Sequence, residues 1–411
     1  MTRVLDPTWV QFPWGDDPQP FVRYRGLLRS FHLARAHGIA DGEYVALVER
    51  LDRQVAGVDG RGVVVTPFGH SAALSRRLGL TSGGIWVKDE TGNVSGSHKA
   101  RHLMGLLIYL EVVERAGMVH GGSGARKLAI ASCGNAALAA AVVARAGGRP
   151  LEVFIPTWAD PKVVARLEAL GATLTVCPRE EGVPGDPAYL RLQQALAAGA
   201  LPFTCQGPDN GLTIEGGMTL GYEIVSMLGR SVRRLDRLFV QVGGGALASA
   251  CVQALEDAAR LGALASLPRI HAVQTCGGYP LKRAYDRVVQ RIVEGLGATA
   301  ESYRAGGSPL PEGHRLTEDH RLAALIRERA VSPEVAAALR HAATHRAEFM
   351  WPWEEEPRSI AHGILDDETY DWLAVVTGMI RTGGYPVVVD EDTIEEANAL
   401  AREATGVDVD H

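Results

Sequence analysis

Cysteine is scarce in this chain. The five present (Cys133, Cys177, Cys205, Cys251 and Cys276) are odd in number and contain no CxxC pair. That spacing excludes a zinc or disulfide framework and predicts reduced thiols in a cytoplasmic protein. Cys133, in a polar loop, is expected to be the most accessible of them. Long apolar runs are also missing. Nothing approaches the ~20 residues that cross a bilayer, and Met1-Thr2-Arg3-Val4-Leu5-Asp6 carries no apolar signal-peptide region. Positive charge is not in excess: 42 Lys and Arg against 48 Asp and Glu leave a net −6. Neither a membrane nor a nucleic acid is therefore expected as a partner. No internal repeat is present.

What remains describes an ordinary soluble chain, 46% hydrophobic and 22% charged, long enough at 411 residues for two domains with ample cores. Strand-like and helical segments alternate from about residue 83 to 275, which predicts an α/β protein with parallel sheets covered by helices. Asp160 and Pro161 are suited to cap and open a helix through Leu170, with Gly171 ending it. Toward the end, 366–381 reads as helix, 385–389 as strand and 393–404 as helix.

Three loops carry candidate chemistry. In Ser95-Gly96-Ser97-His98-Lys99-Ala100-Arg101, the lysine falls in the first turn of an amphipathic helix covering Leu103 to Val113. A helix N-terminus favours anions, so a cation gains nothing there. The apolar run Leu128-Ala129-Ile130-Ala131 breaks into Ser132-Cys133-Gly134-Asn135-Ala136 before an alanine-rich helix through Ala146, the place where open α/β sheets bind ligands. Leu238-Phe239-Val240-Gln241-Val242 leads into Gly243-Gly244-Gly245-Ala246-Leu247 and a helix through Leu261. Its glycines let backbone N–H groups close around a phosphate. Each loop alone has a plainer reading: a solvated lysine, an Asn135 helix cap, a tight glycine turn. The third loop also fits a loose dinucleotide fingerprint. The confirming acid is missing, however, since the next strand, 270–273, ends at Gln274.

In this order the three loops resemble the fold-type II pyridoxal-phosphate enzymes, relatives of threonine dehydratase, threonine synthase, cysteine synthase and the tryptophan synthase β subunit. The resemblance runs from Thr66-Pro67 to Val407 and includes Val153-Phe154-Ile155-Pro156, the segment Pro161 to Ala172, and Glu215-Gly216-Gly217-x-Thr219. It implies two domains with the cofactor, pyridoxal 5'-phosphate, in the cleft between them. Residues 1–60 would be an N-terminal arm packed on the larger domain, 90–205 the smaller mobile domain, and 61–89 with 206–411 the larger one. Lys99 would carry the cofactor as a Schiff base and serve as the catalytic residue. Ser97, His98 and Asn135 would contact the cofactor, and Gly243, Gly244, Gly245 and Ala246 would hold its phosphate. Ser132, Cys133, Gly134 and Ala136 would hold the substrate carboxylate.

Several positions depart from the family pattern. His98 stands where dehydratases usually have Phe, Cys133 where Ser or Thr is usual, Ala136 where His or Thr is common, and Ala246 in place of a fourth glycine. Thr405-Gly406-Val407 resembles the point shortly before the family's Ser or Thr partner to the pyridine nitrogen, a role the resemblance leaves unassigned here.

The implied activity is that of a lyase eliminating a β-substituent from a small amino acid such as a hydroxy amino acid. Lys99 would take the α-proton while the cofactor delocalises the carbanion. The glycine loop favours elimination. Gln274 to Pro280 and Phe21-Val22-Arg23-Tyr24-Arg25 favour a threonine synthase-like replacement instead. A nicotinamide oxidoreductase and a non-catalytic cofactor-binding protein remain as readings of other classes. A homodimer is a family-level expectation. No metal site is expected: His341 and His345, four apart on a predicted helix 334–348, lack the glutamate of the His-Glu-x-x-His pattern, and coordination needs further ligands. Gly121 to Lys127 imitates a phosphate loop with the wrong spacing, Trp353 to Pro357 reads as a solvated loop, and Asp366-Asp367-Glu368 as helix-capping chemistry.

Overall fold

The computed structural model describes residues 6–80, 82–119, 126–183, 185–231, 234–297, 315–354 and 357–408. The phosphate-loop imitation at Gly121 to Ala125 lies outside them. The chain divides into two compact units, each α/β. The first holds residues 1–232, 253–265 and 400–409, and the second 233–252, 266–399 and 410–411.

The first unit opens with α1 (Pro20–Arg23), α2 (Arg29–Ala36) and α3 (Asp41–Asp59). Next come an antiparallel pair, β1 (Phe68–Ser71) and β2 (Ile85–Lys88), joined through α4 (Ala72–Arg77), and then α5 (Lys99–Arg115). Alternation follows: β3 (Leu128–Ala131), α6 (Asn135–Ala146), β4 (Leu151–Pro156), α7 (Pro161–Ala169), β5 (Thr173–Cys177), α8 (Pro187–Ala197), β6 (Leu201–Pro202) and α9 (Leu212–Ser231). These strands form one parallel sheet in the order β5-β4-β3-β6.

The local causes are visible in the sequence. Leu128, Ala129 and Ile130 are all buried, as a strand covered on both faces requires. α7 starts where the Asp160 carboxylate accepts the Lys162 N–H at 2.7 Å and Pro161 occupies the first turn. Gly171, at φ +82°, follows its end. α5 is buried nearly all round, through Ala100, Leu103, Met104, Leu106, Leu107, Ile108 and Val112, and so is an interior helix. It packs on α2, α6 and α9, while α3 packs on α6. The α5–α9 crossing is close because both helices carry glycine there. A Cβ on Gly105 would lie 2.8 Å from the Gly216 Cα, and a Cβ on Gly216 would overlap the Arg101 carbonyl oxygen.

The second unit has a three-stranded parallel sheet, β7 (Arg237–Gln241), β8 (Arg269–Thr275) and β9 (Val387–Val389), in that order. Between β7 and β8 runs α10 (Ala246–Arg260), and after β8 come α11 (Pro280–Gly295), α12 (Arg315–Glu328), α13 (Pro333–Thr344) and α14 (Trp372–Thr382). After β9 comes α15 (Glu391–Thr405), whose residues from 400 on count with the first unit. α11 buries Leu281, Ala284, Tyr285, Val288 and Ile292 along one stripe, against α13 and α14.

Four sequence expectations need correction here. Residues 366–371 are not helical; α14 begins at Trp372 because this stretch bonds elsewhere. The Asp371 N–H donates to the Gly244 carbonyl at 3.0 Å, and the Asp367 carbonyl accepts from the Trp353 N–H at 2.9 Å. Asp366-Asp367-Glu368 is therefore not the cap of α14: Asp371 is the flanking residue, without a side-chain cap of the helix, and Glu368 pairs with Arg346. Strand β9 starts at Val387, after Pro386, which has no N–H to give a ladder. Cys133 is half-buried, and Cys276 is the exposed thiol; all five cysteines are free.

Candidate active site

Lys99 is the first residue of α5, earlier in its helix than periodicity alone indicates. The turn before it, Val94–Gly96, is 3-10, and Ser95 adopts a left-handed conformation (φ 52°, ψ 22°) with its N–H bound to an Asp59 carboxylate oxygen at 2.9 Å. A non-glycine residue held this way stores strain beside the helix start. The Ser97 hydroxyl accepts the Lys99 N–H at 3.4 Å. Lys99 itself is half-buried. Among the described residues its ammonium has neither an ion pair nor a hydrogen bond, an unusual condition for a lysine partly withdrawn from water.

Two histidines flank it. The rings of His98 and His102 meet edge to face with centroids 5.7 Å apart. His102 Nδ1 bonds the Thr213 carbonyl at 2.9 Å, while the Nε2 atoms of both rings are buried without a partner. Burial, reinforced by the Lys99 ammonium, pushes His98 well below the ordinary histidine range and His102 to about 3. Both are therefore neutral at pH 7. Gln206 Oε1 and Thr213 Oγ1 are also buried and unpartnered.

Asn135 opens α6 with its side chain exposed. Gly134 is the flanking residue, and no side-chain cap is made. The capping role open to Asn135 in the sequence is thus not one it plays, and its amide is left for another partner. Ser132 Oγ accepts the Gly134 N–H at 3.4 Å, and Cys133, Gly134 and Ala136 line the same turn, each half-buried. The loop belongs to the same unit as Lys99, and α6 packs on both α5 and the 94–96 turn.

The glycine loop lies in the second unit. Gly245 has φ +90°, which a side chain would strain. A Cβ on Gly243 would come within 2.9 Å of the Ile364 carbonyl oxygen, and one on Gly245 within 2.9 Å of Thr369 Cγ2. Among the described residues the N–H groups of Gly243, Gly244, Gly245 and Ala246 have no acceptor, although the carbonyls of Gly244 and Gly245 are both engaged. Four free amides opening a 15-residue helix form an anion cradle. Gln274, by contrast, is spent on structure. Its Oε1 accepts the Leu281 and Lys282 N–H groups at 3.0 and 3.2 Å, capping α11.

Sequence reading missed a buried charge network beneath Lys99. Arg101 is fully buried. It donates to Glu90 (Nε to Oε2, 2.8 Å), to Glu223 (Nη2 to Oε2, 3.1 Å), to Thr219 Oγ1 at 3.1 Å and to the Val64 carbonyl at 3.2 Å. Lys88 Nζ donates to Glu223 at 2.6 Å and to Thr66. Burial acts to raise the Glu90 carboxyl, but the Arg101 guanidinium, with Lys88, holds it down at about 2. Two cations and two carboxylates thus tie β2, the 89–93 turn, α5 and α9 together. The clue in the sequence was charge inside otherwise apolar helix segments, Arg101 before Leu103-Met104 and Glu223 before Ile224-Val225.

The chain matches the model of the pyridoxal-phosphate dependent enzyme family over residues 61–320. It belongs to that family. Curated relatives include an L-serine dehydratase of Saccharomyces cerevisiae (strain AWRI1631), 30% identical over 237 residues, 56% of this chain and 66% of the relative. A human L-serine dehydratase/L-threonine deaminase is 29% identical over 195 residues, 47% of this chain and 53% of the relative. The chain thus matches just under two thirds of the first of these and about half of the second. Among solved structures, an L-serine ammonia-lyase from Rhizomucor miehei superposes with TM-score 0.54 at 16% identity, covering 84% of this chain and 82% of that one. The threonine deaminase of T.th. gives 0.51 at 18%, covering 88% and 87%. At these identities the superpositions speak for a shared fold.

Taken unit by unit, the residues present suit the cofactor of the family: in the first, the Lys99 amine, without a partner among the described residues, suits its aldehyde, and in the second, the amides of Gly243 to Ala246, without an acceptor among the described residues, suit its phosphate. Among the described residues no helix is long and apolar enough to cross a membrane.

Proposed function

We propose that this pyridoxal-phosphate dependent enzyme is an ammonia-lyase that eliminates the β-hydroxyl of a small hydroxy amino acid. The observation that carries the reading is the half-buried Lys99 amine with no partner among the described residues, set at a helix start where a cation has no electrostatic reason to be. Its relatives named L-serine dehydratase support the choice of reaction.

When bound, the cofactor supplies an electron sink for the carbanion formed at the substrate Cα. Lys99 would hold the cofactor, and its Nζ would receive the α-proton of the substrate. Ser97, His98 and Asn135 hold the cofactor, and the amides of Gly243, Gly244, Gly245 and Ala246 bind its phosphate. Ser132, Cys133, Gly134 and Ala136 orient the substrate carboxylate. The rings of His98 and His102, neutral at pH 7, flank Lys99 without adding positive charge beside it. Departure of the β-hydroxyl with a proton releases one water. One water consumed in the final hydrolysis gives ammonia and a 2-oxo acid. The same reading has residues 90–205 moving as a smaller domain, in a cytoplasmic homodimer.

Two measurements test this. The purified protein should show a visible cofactor band that borohydride bleaches, and Lys99→Ala should lose that band as a covalent species. Release of 2-oxo acid from L-serine or L-threonine supports elimination. Phosphate released from O-phosphohomoserine, without 2-oxo acid, would replace this reading with a synthase.

A further inference from the structure

Away from the site just described, α13 ends in a cluster of metal-binding side chains. The helix stops at Thr344, and the chain turns through His345 (φ −125°, ψ 50°) into a 3-10 turn, Arg346–Glu348. A helix continued to Glu348 would have carried that glutamate further along its axis. The turn instead brings it back over the last helical residues, and the ligand atoms of His341, His345 and Glu348 all lie within 4.8 Å of one another. The third ligand, absent from the sequence pattern, is thus supplied by the way the helix ends.

The two rings lie almost parallel, 9° apart with centroids at 3.9 Å. His345 Nδ1 is engaged by the His341 carbonyl at 3.0 Å and by Thr344 Oγ1 at 2.9 Å, which leaves Nε2 as its free lone pair. A backbone carbonyl on the second ring nitrogen is the arrangement that orients metal-bound histidines. His341 Nε2 meets Glu348 Oε2 at 2.8 Å, and a cation inserted there displaces one proton and keeps both donors. His341 is steadied by Phe349, whose ring centroid lies 6.0 Å away, while His345 and Glu348 are exposed and free to close around an ion. Arg291, whose charge reaches the Glu348 carboxylate, and Arg287, which donates to the Glu348 carbonyl at 3.2 Å, are basic residues whose charge opposes a cation there.

We propose that His341, His345 and Glu348 form a surface site for a zinc-class divalent cation, with solvent completing the coordination. Two imidazoles and one carboxylate suit Zn2+ or Co2+ better than the all-oxygen ligands Mg2+ and Ca2+ prefer. Bonds of about 2.0–2.1 Å draw the three donors closer than they stand now. The site is independent of Lys99 and of the proposed reaction.

Equilibrium dialysis of the holoprotein against Zn2+ up to ~100 μM, with metal analysis, tests it. The wild type should bind one ion that His345→Ala weakens by at least ~10-fold and His341→Ala/His345→Ala abolishes, with circular dichroism unchanged. Because His345 is exposed, the single variant reads out even where the double variant folds poorly. No bound zinc in the wild type, undiminished binding by His345→Ala, or loss only with Cys276→Ser would each overturn the proposal.

Discussion

At the residue scale, Arg101 and its partners govern how Lys99 is presented. Lys99 begins α5, and Arg101, two residues on, fixes that first turn through both carboxylates at once. Four buried charges are tolerable only while they sum to zero and their donors are used, because each unpaired ion carries a desolvation cost of several kcal/mol. Glu223→Gln keeps the shape and removes one negative charge, leaving Lys88 and Arg101 facing a single carboxylate. A loss of about 3–5 kcal/mol in unfolding free energy is expected, measured by urea denaturation. A replacement that costs under about 1 kcal/mol would mean that water reaches the network. His98 and His102 belong to the same shell. Their role in keeping the region free of extra positive charge was not legible from the sequence, because the spacing of two histidines says nothing about what buries them.

At the scale of elements, the α5–α9 crossing gives a physical reason for the motif Glu215-Gly216-Gly217-x-Thr219. Gly216 and Gly217 admit the α5 backbone and the His102 ring, Thr219 receives Arg101, and Glu215 accepts the Arg29 N–H at 2.9 Å. A methyl group at Gly216 meets a backbone carbonyl that cannot rotate away. Gly216→Ala should therefore destabilise the protein by at least ~1–3 kcal/mol, as overpacking does. Gly57, inside α3 with open space around it, supplies the contrast: Gly57→Ala should stabilise by up to about 1 kcal/mol. Thermal unfolding of the two variants should move in opposite directions. The termini that resisted prediction share one cause. Strand β3 and helices α6 and α7 stood at the expected places because their caps, prolines and apolar runs are local. The start of α14, the end of α13 and the fate of Gln274 depend on hydrogen bonds to distant chain, which periodicity cannot register.

For the molecule as a whole, the fold class and the three candidate loops were legible because each joins a strand or turn to a helix start. The charge network and the histidine shell were not, since they arise only when segments far apart in sequence meet. That shell sets the response to acid. His98 and His102 have folded pKa values below the ordinary 6.5, so between about pH 6.5 and 3 the unfolded chain binds protons that the folded one refuses. Stability is then full above pH 6.5 and falls as pH drops, by at most about 1.4 kcal/mol per pH unit for each histidine. Glu90, depressed from 4.5 to about 2, adds a second loss over that lower window, when its carboxylate must protonate and abandon Arg101. Urea midpoints measured at pH 7.5, 6.5 and 5.5 should decline for the wild type, whereas His98→Phe/His102→Leu should give a flatter profile over the same range, because neither replacement titrates. An equal slope in both proteins would show that the two rings are hydrated and protonate freely in the native state.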